Sequence, residues 1–298
     1  MPNWALLGFR GIEAASRALP ESVLSGAARV ITTAIPRIAP ERRRIVERHL
    51  ERSHGRALSA AEKQAGVRAV FRTYARYWTE STRLPTLTTE QIDRGFTYTG
   101  FENIEDSVAA GKGTILVLPH LGGFELAAAW LNKVCGYDVS VIVENLDDDE
   151  VREFMRQWRS GAGMQVVPLG KGLGPEIIKR LRANHIVCIM NDRDITGGGV
   201  EVEFFGERTT MPGGAATLAL RTGARIVPVA VYHHARTNHA VVRAPIEVER
   251  VGKRLADDVA RITQNIANVL EDQIRLAPTQ WWVLQPNWPS DHVTSAQP

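Results

Sequence analysis

From about Gly100 onward, short apolar runs of β-prone residues alternate with segments of helical character, and this alternation constrains the fold more than any other feature of the chain. Strands and helices in alternation are typical of an α/β sheet with helices on both faces. We therefore predict an α/β fold with a central mixed sheet, helices on both faces and an α-helical amino-terminal region before it. The predicted strands are Thr114–Leu118, Val139–Val143, Val166–Leu169, Ile186–Met190, Val200–Phe204 and Ile226–Val231. The predicted helices are Ile104–Ala110, Phe124–Val134, Asp148–Gly161, Gly174–Asn184, Gly213–Thr222 and Ala256–Leu276.

The first 85 residues have a different character, because they are helical in pattern and rich in arginine. They contain 15 Lys/Arg and 7 Asp/Glu, a net charge of +8, although the whole chain carries only +3. Helical patterns cover Arg42–Arg52 and Ala60–Leu84. We predict that residues 1–85 form a basic amphipathic region that packs on the body and docks on an anionic membrane surface, and that residues 86–298 form the α/β domain. An apolar stripe at the start of this region comprises Trp4, Leu6, Leu7, Phe9 and Ile12.

Membrane spans, secretion and disulfides are disfavoured by the sequence. No run reaches the ~18–20 apolar residues that cross a bilayer, and Arg10, Glu13 and Arg17 interrupt any signal-peptide core. Cys135 and Cys188 are the only two cysteines, and both lie near predicted buried segments. A reducing cytosol is therefore the expected compartment.

A histidine lies just beyond the predicted strand Thr114–Leu118, and a glutamate lies at the start of the next helix. His120 and Glu125 are separated by Leu-Gly-Gly-Phe, so the chain turns on two glycines at the carboxyl end of a strand. Open α/β sheets place their chemistry at this edge, and histidine is the usual general base at neutral pH. We interpret His120 as a candidate base and Glu125 as a carboxylate able to fix its tautomer. The alternative is a hydrogen-bonded strand-end histidine beside a solvated glutamate. A metal site is disfavoured, because no second histidine gives the His-Glu-x-x-His spacing.

A second polar cluster follows the predicted strand Ile186–Met190. Asn191, Asp192, Arg193 and Asp194 come directly after that apolar run, where ionisable groups are costly unless they face a cleft or pair together. Asp192 is a candidate to orient His120, and Arg193 is a candidate to stabilise an oxyanion or hold a phosphate. The alternative is a solvated turn with a local ion pair. Whether Asp192 or Glu125 pairs with His120 stays open at this point.

An ordered set of motifs resembles the lipid A late acyltransferase and lysophospholipid acyltransferase family, which shares a His-x4-Asp/Glu signature. The matching segments cover most of the chain, from about Tyr74 to Trp288, and their order is more specific than any one of them. They are Tyr77–Glu80, Arg83–Pro85, Leu118–Glu125, Asp192–Thr196, Gly199–Glu207, Met211–Pro212 and Leu284–Trp288.

The resemblance implies an acyl-CoA-dependent O-acyltransferase that moves a fatty acyl chain to a sugar hydroxyl of a glycophospholipid such as a phosphatidylinositol mannoside. It places the catalytic histidine at His120, the motif acid at Glu125 and the carboxylate that pairs with the histidine at Asp192. The branch of the family with this substrate usually has Asp in the motif and Glu in the pairing position, so both acids depart from that pattern. Because both exchanges keep a carboxylate in place, they affect the expected identity of the substrate more than the expected reaction. The predicted substrate-binding residues are Glu144, Arg159, Arg193 and Glu201, of which Glu144 and Arg159 fall on active-site positions of the family.

The resemblance also implies that residues 86–298 are an acyltransferase domain acting at the cytoplasmic face of the plasma membrane as a peripheral protein. Acyl-CoA would be a co-substrate, with no bound cofactor and no metal. The rival substrates are those of a lipid A type or other glycolipid or lysophospholipid acyltransferase. An ester hydrolase is disfavoured, because the sequence has no Gly-x-Ser-x-Gly motif. A nucleic-acid partner is not expected, because Arg42–Arg56 lacks interleaved aromatic residues for base stacking.

Overall fold

The structure, a computed structural model, describes residues 39–144 and 148–292, together with residues 7, 8, 10, 11, 14 and 15. Residues 7, 8, 10, 11, 14 and 15 are helical, and the side chain of Leu7 is exposed. Trp4, Leu6, Phe9 and Ile12 of the predicted apolar stripe lie outside the described residues, so the role of that stripe stays a prediction.

The described residues form nine strands, seven of which make one central sheet. The strands are β1 (Phe96–Thr99), β2 (Thr114–Leu118), β3 (Val139–Val143), β4 (Gln165–Pro168), β5 (Ile186–Met190), β6 (Val200–Phe204), β7 (Glu207–Met211), β8 (Arg225–His234) and β9 (Thr237–Val242). The sheet has the order β1-β9-β8-β2-β5-β3-β4, and β6 and β7 form a separate antiparallel hairpin. Only β8 and β9 pair antiparallel within the sheet, so the predicted mixed sheet is confirmed.

The centre of the sheet is built from strands that read as continuous apolar runs. All five residues of β2 are buried, and β2 lies between the parallel strands β5 and β8. Parallel strands covered on both faces need apolar side chains on both sides, which explains why these runs do not alternate with polar residues. The register pairs Leu118 of β2 with Met190 of β5. The residues that follow these two strands are therefore brought side by side.

Helices cover both faces of this sheet. They are α1 (Pro40–His54), α2 (Ala60–Ser81), α3 (Thr89–Arg94), α4 (Glu102–Ala109), α5 (Phe124–Lys133), α6 (Asp149–Gly161), α7 (Leu173–Arg182), α8 (Gly214–Thr222) and α9 (Leu255–Leu276), with short 3₁₀ turns at Leu84–Thr86, Pro278–Gln280 and Pro289–His292. Every predicted strand and helix of the sheet domain is found, with ends at most three residues from those predicted. The sequence did not predict α3, β1, β7 or β9.

The two faces of the sheet pack against different helices. Ile115 and Val117 of β2 point into a core formed with α7, α8 and α9. Leu116 and Leu118 of the same strand point into a second core formed with α3, α4 and α5. The alternation of side chains along a strand therefore divides one apolar run between two cores.

The basic amino-terminal helices α1 and α2 pack on the body. Helix α2 begins with a capping box, in which the Ser59 hydroxyl accepts the backbone N–H of Glu62 and the Glu62 carboxylate accepts the backbone N–H of Ser59. Leu50 of α1 and Phe71 of α2 share a buried cluster with Trp282 and Leu284 near the carboxyl end of the chain. Helices α1 and α2 therefore pack on the α/β body, while the membrane-docking role of residues 1–85 and the division at residue 85 stay predictions.

Candidate active site

His120 and Asp192 meet at the carboxyl edge of the central sheet. Each lies two residues beyond the paired strand ends Leu118 and Met190, so the strand register sets them side by side. The backbone N–H of His120 donates to Oδ2 of Asp192 at 2.8 Å. The imidazole Nδ1 lies 2.7 Å from Oδ1 of the same carboxylate. The residues predicted from the two strand ends therefore form one hydrogen-bonded pair.

The carboxylate of Asp192 is fully buried and remains ionised. Trp281 donates its indole N–H to Oδ2 at 2.7 Å, so the two oxygens face three donors in all. Burial raises the pKa of Asp192, but the charge of a protonated His120 and the hydrogen bonds from His120 and Trp281 outweigh it, so the pKa lies below its ordinary value. An ionised carboxylate only accepts hydrogen bonds, and Nδ1 must therefore carry the proton. That leaves Nε2 of His120 as the ring nitrogen that can accept a proton.

Glu125 has a different partner. Its side chain is buried at the start of α5, and Oε1 accepts from Nε and Nη2 of Arg159 at 2.9 and 2.8 Å. The hydroxyl of Tyr77 donates to the same oxygen at 3.1 Å. Burial and the nearby carboxylate hold the pKa of Tyr77 well above its ordinary value, so the hydroxyl keeps its proton and donates. Of the two carboxylates left open by the sequence, Asp192 is the one that contacts His120, while Glu125 anchors Arg159.

Two glycines allow the turn between His120 and α5. Gly122 has φ +57°, and a Cβ there would overlap the carbonyl oxygen of Val231 in β8. A Cβ on Gly123 would overlap the side-chain amide oxygen of Asn238 in β9. Glycine at position 122 is therefore required by the close approach of this turn to the β8 backbone, and a side chain at position 123 would displace Asn238.

An apolar cavity of about 540 Å³ lies against this turn, and His120 is among its lining residues. This volume is within the range of roughly 300–1,000 Å³ found for small-molecule sites. Side chains from all seven strands of the central sheet line it, and α5 covers it with Ala127, Ala128 and Leu131. The small side chains of α5 leave space between helix and sheet. Aromatic rings that line the cavity are Tyr74, Tyr77, Trp78, Phe96, Tyr98, Phe101, Phe124, Trp130 and Trp282.

Charged residues line one part of the cavity, and they include three of the predicted substrate-binding residues. Glu144, Arg159 and Arg193 all contribute to the lining. Glu201 is not among these residues, because it lies on the exposed side of the β6–β7 hairpin, 3.1 Å from Arg208. Asp194 is also engaged locally, since its carboxylate accepts the N–H groups of Gly197 and Gly199 in the loop before β6.

The sequence did not predict the position of Gln280–Trp282, a segment that hydrogen-bonds to the turn that bears His120. The backbone N–H of Trp282 donates to the His120 carbonyl at 3.0 Å, and the N–H of Gly122 donates to the Gln280 carbonyl at 3.0 Å. Leu121 and Trp281 form an isolated antiparallel bridge between these bonds. The adjacent Trp281 and Trp282 near the end of the chain were the signal available, but nothing local connects them to His120.

The described residues contain neither a candidate metal site nor a membrane-spanning helix. No three His, Cys, Asp or Glu side chains in the described parts of the chain come together as a metal site would need. None of the helices seen in those parts has the length and apolar character required to span a membrane. The thiols of Cys135 and Cys188 are free.

Comparison with known proteins identifies the class. The family model of the bacterial lipid A biosynthesis acyltransferases matches residues 3–290, nearly the whole chain. The chain therefore belongs to this family and is an acyltransferase, as its motifs predicted.

Three relatives of the chain within this class share one name. Phosphatidylinositol mannoside acyltransferases from two strains of Mycobacterium tuberculosis are each 36% identical to the chain over 230 residues, which is 75% of this chain and 70% of the relative. The phosphatidylinositol mannoside acyltransferase of Mycolicibacterium smegmatis is 31% identical over 287 residues, 95% of this chain and 90% of the relative.

Proposed function

We propose that this acyltransferase moves a fatty acyl group from acyl-CoA to a sugar hydroxyl of a glycophospholipid, with His120 as general base. A phosphatidylinositol mannoside is the proposed acceptor, because three relatives at 31–36% identity carry that substrate in their names. The observation that carries the proposal is the His120–Asp192 pair beside an apolar cavity large enough for a lipid chain.

In the proposed reaction, Nε2 of His120 takes the proton of the acceptor hydroxyl as its oxygen attacks the thioester carbonyl. Asp192 holds the imidazole through Nδ1 and offsets the charge of the imidazolium that forms. The tetrahedral intermediate then collapses with cleavage of the carbon–sulfur bond. The CoA thiolate leaves and takes from His120 the proton that came from the acceptor hydroxyl, so the products are an ester and free CoA. Acyl-CoA is a co-substrate in this scheme, which needs no bound cofactor and no metal.

Positive charge beside the cavity supports stabilisation of the oxyanion. Arg159 is the proposed contributor together with Arg193, and backbone N–H groups are the alternative. The bond to Glu125 would hold the Arg159 guanidinium in one orientation. In this scheme Glu125 acts on the arginine, while Asp192 acts on the histidine. Glu144 would contact the polar part of a substrate at the cavity.

The acceptor is a membrane lipid in this proposal, so the enzyme would work at an anionic membrane surface as a peripheral protein. The net charge of +8 over residues 1–85 supports such docking. Arg42, Arg43 and Arg44 at the start of α1 are all exposed to solvent. Each basic residue near an anionic surface adds on the order of 1 kcal/mol. The cytoplasmic face is the proposed side, since acyl-CoA is made in the cytoplasm.

Product identification tests this function. The full chain would be incubated with acyl-CoA labelled in the acyl group and, in separate reactions, a phosphatidylinositol mannoside, a lipid A precursor, a lysophospholipid or no acceptor. Mass spectrometry should find a new labelled ester on the phosphatidylinositol mannoside and an equal amount of free CoA. Label on only one of the other lipids would refute the proposed acceptor. Label released only as free fatty acid would favour a hydrolase, and activity only with an acyl carrier protein thioester would refute the donor.

A further inference from the structure

Trp281 contacts Asp192 directly and pairs with the residue that follows His120. Its indole N–H donates to Oδ2 of Asp192 at 2.7 Å, and the backbone of the same residue forms the bridge to Leu121. The next residue, Trp282, donates its backbone N–H to the His120 carbonyl. One short segment therefore fixes the turn that bears the histidine and the carboxylate that holds it.

The ring of Trp281 is itself held in place. The imidazole of His49 in α1 stacks on it at 5.1 Å between centroids, and Phe205 packs against it at 5.8 Å. His49 in turn lies 3.2 Å from the carboxylate of Asp291. Trp281 is only 3% exposed, so water does not compete for its indole N–H. The hydrogen bond to Asp192 thus comes from a donor with a fixed position.

A buried carboxylate with a fixed donor on one oxygen presents its other oxygen in one direction. Oδ2 accepts from Trp281 and from the backbone of His120, which leaves Oδ1 aimed at Nδ1 of the imidazole. Loss of the indole donor would leave Oδ2 with one partner fewer in a site without solvent. An unpaired acceptor of that kind is costly, and the carboxylate would rotate or protonate to relieve it.

Resting on the function proposed above, we infer that Trp281 is a positioning residue for the acyl transfer, acting through Asp192 to orient His120. It touches neither substrate nor the reacting atoms in this role. The imidazole of His49 in α1 stacks on the Trp281 ring, so α1 also supports the geometry of the His120–Asp192 pair. Two ionisable side chains face this contact directly: His120 bonds to Asp192, and His49 stacks on Trp281. Asp291 bonds to His49 and to Arg52 behind it, and Arg193 follows Asp192 in the chain.

Trp281→Phe tests this inference, and Trp288→Phe is its matched control. Trp288 is a second buried tryptophan of the same aromatic cluster, 5.1 Å from His49, but its indole N–H donates to the Phe204 carbonyl. Both variants lose an indole N–H and similar volume, and only one of them loses a bond to Asp192. Circular dichroism and thermal unfolding would establish the folded fraction of each, so that turnover is compared per folded molecule.

Trp281→Phe should lower kcat about 10-fold, the factor expected for one hydrogen bond to a charged group, with little change in KM for acyl-CoA. The acid limb of its pH–rate profile should move to higher pH, because the anion of the pair has lost a donor and the pair takes up a proton more readily. Trp288→Phe should leave both unchanged. In an Asp192→Asn background, Trp281→Phe should cost nothing further, because both changes act on one contact.

Wild-type kcat in Trp281→Phe would overturn the inference, as would an equal loss in Trp288→Phe or a full additional loss in the Asp192→Asn background. An unshifted pH profile beside a lowered kcat would assign Trp281 a role in packing alone, which also contradicts it. Normal turnover of Asp192→Asn itself would instead contradict the proposed function. The two failures can therefore be told apart.

Discussion

The two faces of the central sheet have the same strands but different helices against them. On one face, α9 contributes Ile262, Ile266, Leu270 and Ile274, all of them fully buried. On the other, α5 contributes Ala127 and Ala128, and the space that they leave is part of the cavity beside His120. Among the described residues that line the cavity, none comes from α9. Small side chains in the middle of α5 therefore leave room for the cavity, whereas the large apolar side chains of α9 fill the space over their part of the sheet.

The His120–Asp192 pair lies at the carboxyl edge where the two faces meet. His120 lines the cavity, while the tryptophan bound to Asp192 belongs to the core on the α9 side. The α9-side core therefore holds the Asp192 carboxylate in a fixed position through Trp281. The cavity beside His120 provides the space where a substrate would lie. Rigid support of this kind is what a catalytic pair needs to keep its geometry.

The largest expected effect on acyl transfer comes from changing Asp192, which bonds both to His120 at the cavity and to Trp281 in the α9-side core. Asp192→Asn keeps the shape of the side chain but removes the charge that offsets a protonated imidazole, so acyl transfer should fall by about 10²–10⁴-fold. Turnover with labelled acyl-CoA measures this loss, and circular dichroism checks that the fold persists. Unchanged turnover would contradict the proposed role of Asp192, because Glu125, the other candidate carboxylate, bonds to Arg159.

A matched pair of leucine truncations compares the faces directly. Leu270→Ala on α9 should destabilise the protein by about 2–5 kcal/mol, because the side chain is fully buried in a packed core. Leu131→Ala on α5 should cost less, because Leu131 already borders the cavity. Urea unfolding measures both. Equal losses of stability would mean that the α5 face is packed as tightly as the α9 face.

A matched pair of alanine enlargements gives the smallest effect. Ala128→Leu on α5 has room to point into the cavity, and it should shift acyl-CoA preference toward shorter chains with little change in stability. Ala216→Leu on α8 enters the packed core and should cost about 1–3 kcal/mol without altering that preference. Competition between acyl-CoAs of different length measures the preference. A destabilised Ala128→Leu with wild-type chain preference would contradict the assignment of the cavity to the acyl chain.

The parts of the fold that the sequence predicted are those fixed by local composition. Thr114–Leu118 and Ile186–Met190 were placed to the residue, because strands buried on both faces need unbroken apolar runs. The sequence did not predict β1 (Phe96–Thr99) or β9 (Thr237–Val242). Each contains exposed or half-exposed residues, so neither has an unbroken apolar run, and both are strands because they pair with neighbouring strands. Such strands have little local signal.

The same distinction applies to the site. The sequence shows where β2 and β5 end, which made Asp192 a candidate partner of His120. That these two strands are neighbours appears only in the structure. The bond from Trp281 joins residues 89 positions apart and has no local signature. Glu125 and Glu201 were both placed at the site by the sequence, yet Glu125 contacts Arg159 and Glu201 lies on an exposed hairpin. Their partners depend on how helices and hairpins pack, which a motif does not encode.

The most direct test of the central claim is the turnover of His120→Ala beside that of His239→Ala. His239 lies on β9, where its ring bonds to Thr97 and Thr99 and is not part of the cavity lining. With labelled acyl-CoA and a phosphatidylinositol mannoside, His120→Ala should lose about 10²–10⁴-fold in rate while remaining folded, and His239→Ala should keep wild-type turnover. Near wild-type transfer by folded His120→Ala would contradict the assignment of His120 as the general base.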